Sequence, residues 1–451
     1  MGRYDEELAE FIGRIPVVDT HEHFCFPHCL KTDKRNILSM IQGMYITDDL
    51  RSAGFGSGDW AKAGSPEEKW RAVRAGLRKT RNTTYYKVLK LIFRELYQVE
   101  DDILTLDYAV LSRYTQESAA KGEEWYDYVL GDRANIQVSL LDKGQTTNFE
   151  LWLLEKNKGG DCQGGGKTFA PEKAGYHRFK PVFRTDFLSF GYLAGARTAV
   201  FEKFGIKIET FEEYEAFLAE LMSTLKSRGF YGIKSTLGYY RDLNFLPQGR
   251  EKAARAWAAG KDASAADARS FQDYIVYLLA KKAGEHDIVY EIHTGMRCFG
   301  SLYTKGNGPH ELVELINANP DTRFDLFHSG YPWVWQASAM AKSIPNAYLS
   351  LNWLSVICET LTKNYLSESL DAVPYSKITW GGDCFYVEEA YAHCRMMRQI
   401  LTEVLAEKAA SGHYDLELCK EIAAGILREN AIALYGLKLP EDPEGKGRQP
   451  V

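Results

Sequence analysis

The chain has 451 residues, 45% of them hydrophobic and 26% charged, with a formal charge of −6. That balance suits a soluble protein with a large core, and without a basic block it argues against nucleic acid or an anionic membrane as the main partner. The length exceeds the ~250 residues typical of a single barrel, so an elaborated domain or a substantial insertion is expected.

The N-terminal MGRYDEELAEFIGRIP is acidic and amphipathic, with Leu8, Phe11, Ile12 and Ile15 on one helical face. It lacks the basic start and apolar run of a signal peptide, and nowhere do ~18 apolar residues run together. Eight cysteines without CxxC spacing read as reduced thiols of a cytoplasmic protein rather than a zinc finger.

Eight short apolar runs predict strands: IPVVDTH (15–21), NIQVSLLD (135–142), RFKPVFR (178–184), YGIKST (231–236), IVYEIHT (288–294), RFDLFHS (323–329), NAYLSLN (346–352) and KITWGGD (377–383). Their near-continuous hydrophobicity suits parallel strands covered on both faces. Amphipathic stretches separate most of them. FEEYEAFLAELMSTLKSRG, for example, sets Phe211, Tyr214, Leu218 and Leu221 at helical spacing before Gly229. Repeated strand–helix alternation predicts an α/β fold, a closed (β/α)8 TIM barrel, rather than an open doubly wound sheet.

Residues 31–131 carry long helical patterns such as EEKWRAVRAGLRK and YYKVLKLIFRELYQ, too long for an ordinary βα loop. They predict a helical insertion after the first strand, serving packing, oligomerisation or substrate enclosure. The barrel proper is then 1–30 and 132–439. The Gly-rich NKGGDCQGGGK at 157–167 reads as a loop, not a nucleotide-binding P-loop, and 440–451 as a disordered tail.

Candidate chemistry begins at VVDTHEH, residues 17–23. Residues two apart on a strand share a face, so His21 and His23 project together while Glu22 points away. Two neutral imidazoles can bind one divalent cation. His293, His328 and Asp383 each end a further predicted strand, and in a barrel these ends surround one mouth. Five such residues predict a metal site.

This arrangement resembles the amidohydrolase superfamily, whose barrels carry HxH after strand one, histidines after strands five and six, and aspartate after strand eight. EIHTG, FHSGYPW, NAYLSLNW, KITWGGD and ILRENAIALYGL together resemble the amidohydrolase-related (type 2) branch, especially the N-terminal domain of FluG-type proteins. Gly232–Ile233–Lys234–Ser235 matches a GxKS segment of that branch, and EEKWRAVRAGLRKTRNTTYYKVL is similar to uronate isomerases.

The resemblance implies one or two divalent ions, zinc first and manganese second. Lys234 stands where binuclear relatives carry a carboxylated lysine that bridges two cations; a cationic lysine contacting substrate, or one paired with an acid, is the alternative.

The implied activity is hydrolysis of a C–N, ester or lactone bond in a small, carboxylated molecule. Metal-activated water attacks, Asp383 serves as general base, and His293 or His328 assists. Uronate isomerisation, non-oxidative decarboxylation and a non-catalytic metal- or ligand-binding barrel are the competing readings. Arg184, Tyr239 and Arg241 are expected to reach the mouth and Trp353 to wall it. Cys25, Cys298 and Cys384, close to these residues, read as inert thiols.

Overall fold

The first strand, β1 (Val17–Glu22), is buried along its whole length, as the apolar run and its flanking polar residues require. It pairs in parallel with β2 (Ile136–Leu141), which pairs with β3 (Phe179–Pro181). A second parallel series runs β4 (Phe183–Arg184), β5 (Gly232–Ser235), β6 (Val289–His293), β7 (Phe324–Phe327), β8 (Ala347–Ser350) and β9 (Ile378–Thr379). The computed structural model describes residues 3–27, 34–62, 64–144, 177–201, 205–299 and 305–439. The Gly-rich 157–167 stretch and the 440–451 tail lie outside the described residues.

Two junctions join the series into a (β/α)8 barrel. RFKPVFR, expected as one strand, is two, broken at Val182. Pro181 has no amide hydrogen to donate. Its carbonyl accepts from the Tyr231 amide at 3.1 Å, while the Val182 amide donates back to Leu141 at 3.0 Å. The strand therefore passes its pairing from β2 to β5 within two residues. At the other junction the Thr20 amide donates to the Trp380 carbonyl at 3.1 Å, and the Asp383 amide to that of His21 at 2.8 Å.

Val18, Leu140, Val182 and Val289 meet Leu434 and Tyr435 in one buried apolar cluster, so the final helix (Asn430–Tyr435) packs against the strands. Returning helices cover the outside. Phe211–Thr224 begins with a reciprocal cap between Thr210 and Glu213 and buries Phe211, Tyr214, Leu218 and Leu221. No helix among the described residues is long and apolar enough to cross a membrane.

Between β1 and β2 the described residues are largely helical. Pro66–Leu77 starts on a Ser65–Glu68 capping box and buries Trp70, Val73 and Leu77. Thr84–Leu91 continues into a π-helical turn, Ile92–Leu96, and Tyr108–Ala120 follows. One carboxylate ties these helices to the barrel. Glu388, on the Val387–Ala410 helix, accepts two bonds from Arg35, at 2.8 and 2.9 Å. It also accepts from the Tyr97 hydroxyl at 3.1 Å and the Trp125 indole at 3.0 Å.

Candidate metal centre

His21 lies near the end of β1 and His23 just beyond it; their Nε2 atoms are 3.2 Å apart. Asp383 follows β9 on the far side of the barrel junction. Its Oδ1 stands 3.6 Å from His21 Nε2 and 3.4 Å from His23 Nε2. The ligand atoms of these three residues all lie within 4.8 Å of one another.

Two imidazoles and a carboxylate, nearly dry and converging, form a donor set suited to a divalent metal ion. His23 Nδ1 contacts the Asp142 carbonyl at 2.9 Å, which orients its ring and leaves Nε2 facing the cluster. Burial alone would raise the Asp383 carboxyl, but His21, His23 and His328 hold it well below the ordinary carboxylate range. Burial, with Lys234 nearby, holds the His21 imidazole well below its usual pKa, in the neutral form a metal requires.

His293 and His328 stand beside this set. His328 Nδ1 is 3.6 Å from Asp383 Oδ2, and its Nε2 is 3.0 Å from His293 Nδ1. His293 Nε2 in turn lies 2.9 Å from the Met296 carbonyl. The five residues expected at one mouth are thus together, arranged as a compact trio with a hydrogen-bonded histidine pair attached. Burial lowers His328 to about 4 and His293 well below its usual value, so both rings are neutral near pH 7.

The backbone is strained where these residues sit. His328 and Trp353 have φ of 60° and 62°, and Asp383, a residue type that tolerates the region, has 58°. Side chains other than glycine, asparagine and aspartate rarely adopt that region, and such outliers concentrate at functional sites. Gly295 lets the loops approach: a Cβ there would lie 2.2 Å from the Tyr331 carbonyl oxygen.

A cavity of about 790 Å³ opens above the trio. Lys234 lines it from the end of β5, its Nζ buried without a hydrogen-bond partner and 3.1 Å from the centroid of the Phe327 ring. Burial lowers its pKa to about 8, against the pull of Glu291, its neighbour on β6.

Arg184 also lines the cavity, but its fork is occupied: Nε donates to Asp142 at 2.8 Å and Nη1 to Thr236 at 2.7 Å, with Asp186 at 3.4 Å. Tyr239 is at the wall, its hydroxyl 3.2 Å from Cys298 Sγ. Burial pushes the Cys298 thiol up to about 12. Cys25 shares the cavity, whereas Cys384 is buried with its sulfur 3.1 Å from His393 Nδ1.

Arg241 is a correction. It does not line the cavity; its guanidinium pairs with Asp273 at 2.8 Å and bonds Gln272 and the Asn244 carbonyl. The turn Leu237–Tyr239 reverses the chain after β5 and carries Arg241 toward the helix Ala265–Glu285, which bears Asp273.

Tyr45 has no counterpart in the expectations. It comes from the helical segment between β1 and β2, and its hydroxyl donates to Asp383 Oδ1 at 3.0 Å. Its ring packs on Trp353 at 4.5 Å between centroids and on Phe299 at 5.6 Å. Phe385, stacked 5.0 Å from His23, completes an aromatic wall. No spacing rule marks a tyrosine in a helical stretch as a partner for an acid 338 positions later. Asp142 did carry a signal, an acid closing a predicted strand.

A family model described as amidohydrolase matches residues 177–437, more than half of the sequence. The chain belongs to the amidohydrolase family. In this amidohydrolase the matched stretch contains Lys234, His293, His328 and Asp383, with His21 and His23 preceding it.

Over 236 residues it is 28% identical to protein fluG of Emericella nidulans, a match spanning 49% of this chain and 27% of that protein. Among solved structures, uronate isomerase of Thermotoga maritima superposes with a TM-score of 0.75 at 15% identity, covering 96% of this chain and 98% of the other. Glucuronate isomerase of Caulobacter crescentus gives 0.74 at 15% identity, covering 97% and 95%. At such identities the likeness concerns the fold, a TIM barrel with its helical additions.

Proposed function

We propose that this chain is a metal-dependent hydrolase that cleaves a C–N, ester or lactone bond in a small, carboxylated molecule. The observation that carries the reading is the Asp383 carboxylate, set 3.4–3.6 Å from the nitrogens of His21, His23 and His328 at the floor of the cavity. His21, His23 and Asp383 would hold the divalent cation, zinc in the first instance and manganese in the second. Such an ion supplies Lewis acidity toward a substrate carbonyl and acidifies water.

The chain's own residues supply the rest. Asp383 is the general base: Oδ1 accepts from Tyr45, and Oδ2 faces His328 and takes up the proton that the attacking water loses. The neutral His328–His293 pair assists the base: His328 Nδ1 stands 3.6 Å from Asp383 Oδ2, and its ring is fixed through His293 to the Met296 carbonyl. Lys234, rather than the occupied Arg184, is the cation assigned to the substrate's carboxylate. The helical segment encloses the site through Tyr45, whose hydroxyl orients the base.

Three measurements test this. Prolonged chelation should abolish turnover, and stoichiometric zinc or manganese should restore it; activity that survives complete removal of metal sinks the proposal. Metal analysis of the purified protein should find one ion per chain, with Lys234 an ammonium. Two ions, together with a carboxylated Lys234, would reassign that residue as a bridge.

Tyr45→Phe should lower kcat about 10- to 100-fold, the equivalent of the 1.5–3 kcal/mol typical of a hydrogen bond to a charged group. Unchanged kcat would remove Tyr45 from the mechanism.

The second reading is aldose–ketose isomerisation of a uronic acid. The full-length superposition on uronate isomerases, helical segment included, favours it. A product screen separates the two: release of amine, alcohol or ring-opened acid marks hydrolysis, and a ketose of unchanged mass marks isomerisation. Carbon dioxide would mark decarboxylation, and a fully metal-loaded but inert protein a binding barrel.

A further inference from the structure

Asp383 points at its partners from a backbone that needs holding. Its φ is 58°, and two glycines precede it. Three consecutive amides of this turn donate to β1 or its side chains. The Gly382 N–H meets Asp19 Oδ1 at 3.0 Å, the Asp383 N–H meets the His21 carbonyl at 2.8 Å, and the Cys384 N–H meets Glu22 Oε2 at 2.5 Å. Asp19 Oδ1 also accepts from the His21 N–H at 3.1 Å, so one carboxylate oxygen serves both sides of the centre.

Asp19 and Glu22 are fully buried, and neither lines the cavity. They do not reach a substrate. Glu22 could have been a solvated strand residue; instead it fills the space beside Gly382, where an added Cβ would lie 2.2 Å from its Oε1. Buried charge-bearing groups are costly unless they are used, and here both are spent on the amides flanking one aspartate.

We propose that Asp19 and Glu22 are positioning residues that clamp the Gly382–Cys384 turn, aim Asp383 at His21 and His23, and thereby set the affinity for the divalent cation. The inference rests on the metal-site reading above. Groups that orient metal ligands without touching the metal typically change affinity about 10- to 100-fold when removed.

The test is calorimetric titration of the metal-free full chain with zinc alone, alongside kcat and KM. Glu22→Ala should weaken zinc binding about 10- to 100-fold and lower kcat, with KM nearly unchanged. Glu22→Gln keeps an oxygen for the Cys384 amide and should restore most of both. Gly382→Ala, which displaces Glu22 without removing it, should resemble Glu22→Ala.

Wild-type zinc affinity in a folded Glu22→Ala or Gly382→Ala protein overturns the clamp. If Glu22→Ala does not fold, Glu22→Gln decides: zinc binding and kcat near wild type support the clamp, and a marked loss of either overturns it. Asp383→Asn is the control. If it alone binds zinc normally, the metal-site reading falls; if it binds weakly while the Glu22 variants bind normally, only the clamp falls.

Discussion

Asp383→Asn is expected to lower kcat by about 10²- to 10⁴-fold, the range associated with a general base, while leaving the fold intact. The carboxamide has the same shape but accepts no proton, and it removes the negative charge that three imidazoles share. Backbone geometry makes asparagine the cleanest replacement. Position 383 has a φ of 58°, in the left-handed region that asparagine tolerates better than most side chains. Steady-state kinetics with near-ultraviolet circular dichroism checks both halves of the expectation. Turnover within a factor of two of wild type would remove Asp383 from the chemistry.

Glu388→Ala should be strongly destabilising, lowering the unfolding free energy by about 3–5 kcal/mol, as expected when one partner of a buried ion pair is removed. Arg35 would be left almost fully buried without its counter-charge. Burial disfavours that guanidinium, and the Glu388 carboxylate holds its pKa above the ordinary value. Tyr97 and Trp125 would lose their acceptor in the same step. All three donors belong to the segment that carries Tyr45, so turnover should fall as well. Urea unfolding followed by tryptophan fluorescence gives the number. A loss below about 1 kcal/mol, the range of an exposed pair, would show that the helical segment is held by its other contacts, the Lys87–Glu359 pair among them.

The barrel and the identity of its central residues were legible in the sequence because both follow from local rules. A strand buried on both faces must be apolar throughout, so the strand-forming runs stand out from the amphipathic helices between them. Parallel alternation then forces every strand end to the same rim, which is why His21, His23, His293, His328 and Asp383 could be grouped without coordinates. Even the helical segment between β1 and β2 announced itself, through the helical patterns EEKWRAVRAGLRK and YYKVLKLIFRELYQ.

What the sequence could not decide were distances and competition for partners. Arginine at a strand end looks the same whether its fork is open or, as at Arg184, closed by Asp142 and Asp186. Arg241 sits only seven positions after Lys234, yet a single turn carries it to Asp273 and out of the cavity. Strand parity placed Glu22 away from the histidines but could not show that it turns to meet the Cys384 amide. Tyr45 and Asp383 meet only when the helical segment folds down over the mouth. Local pattern is governed by neighbours along the chain, whereas most of these contacts join residues tens to hundreds of positions apart, and packing alone selects them.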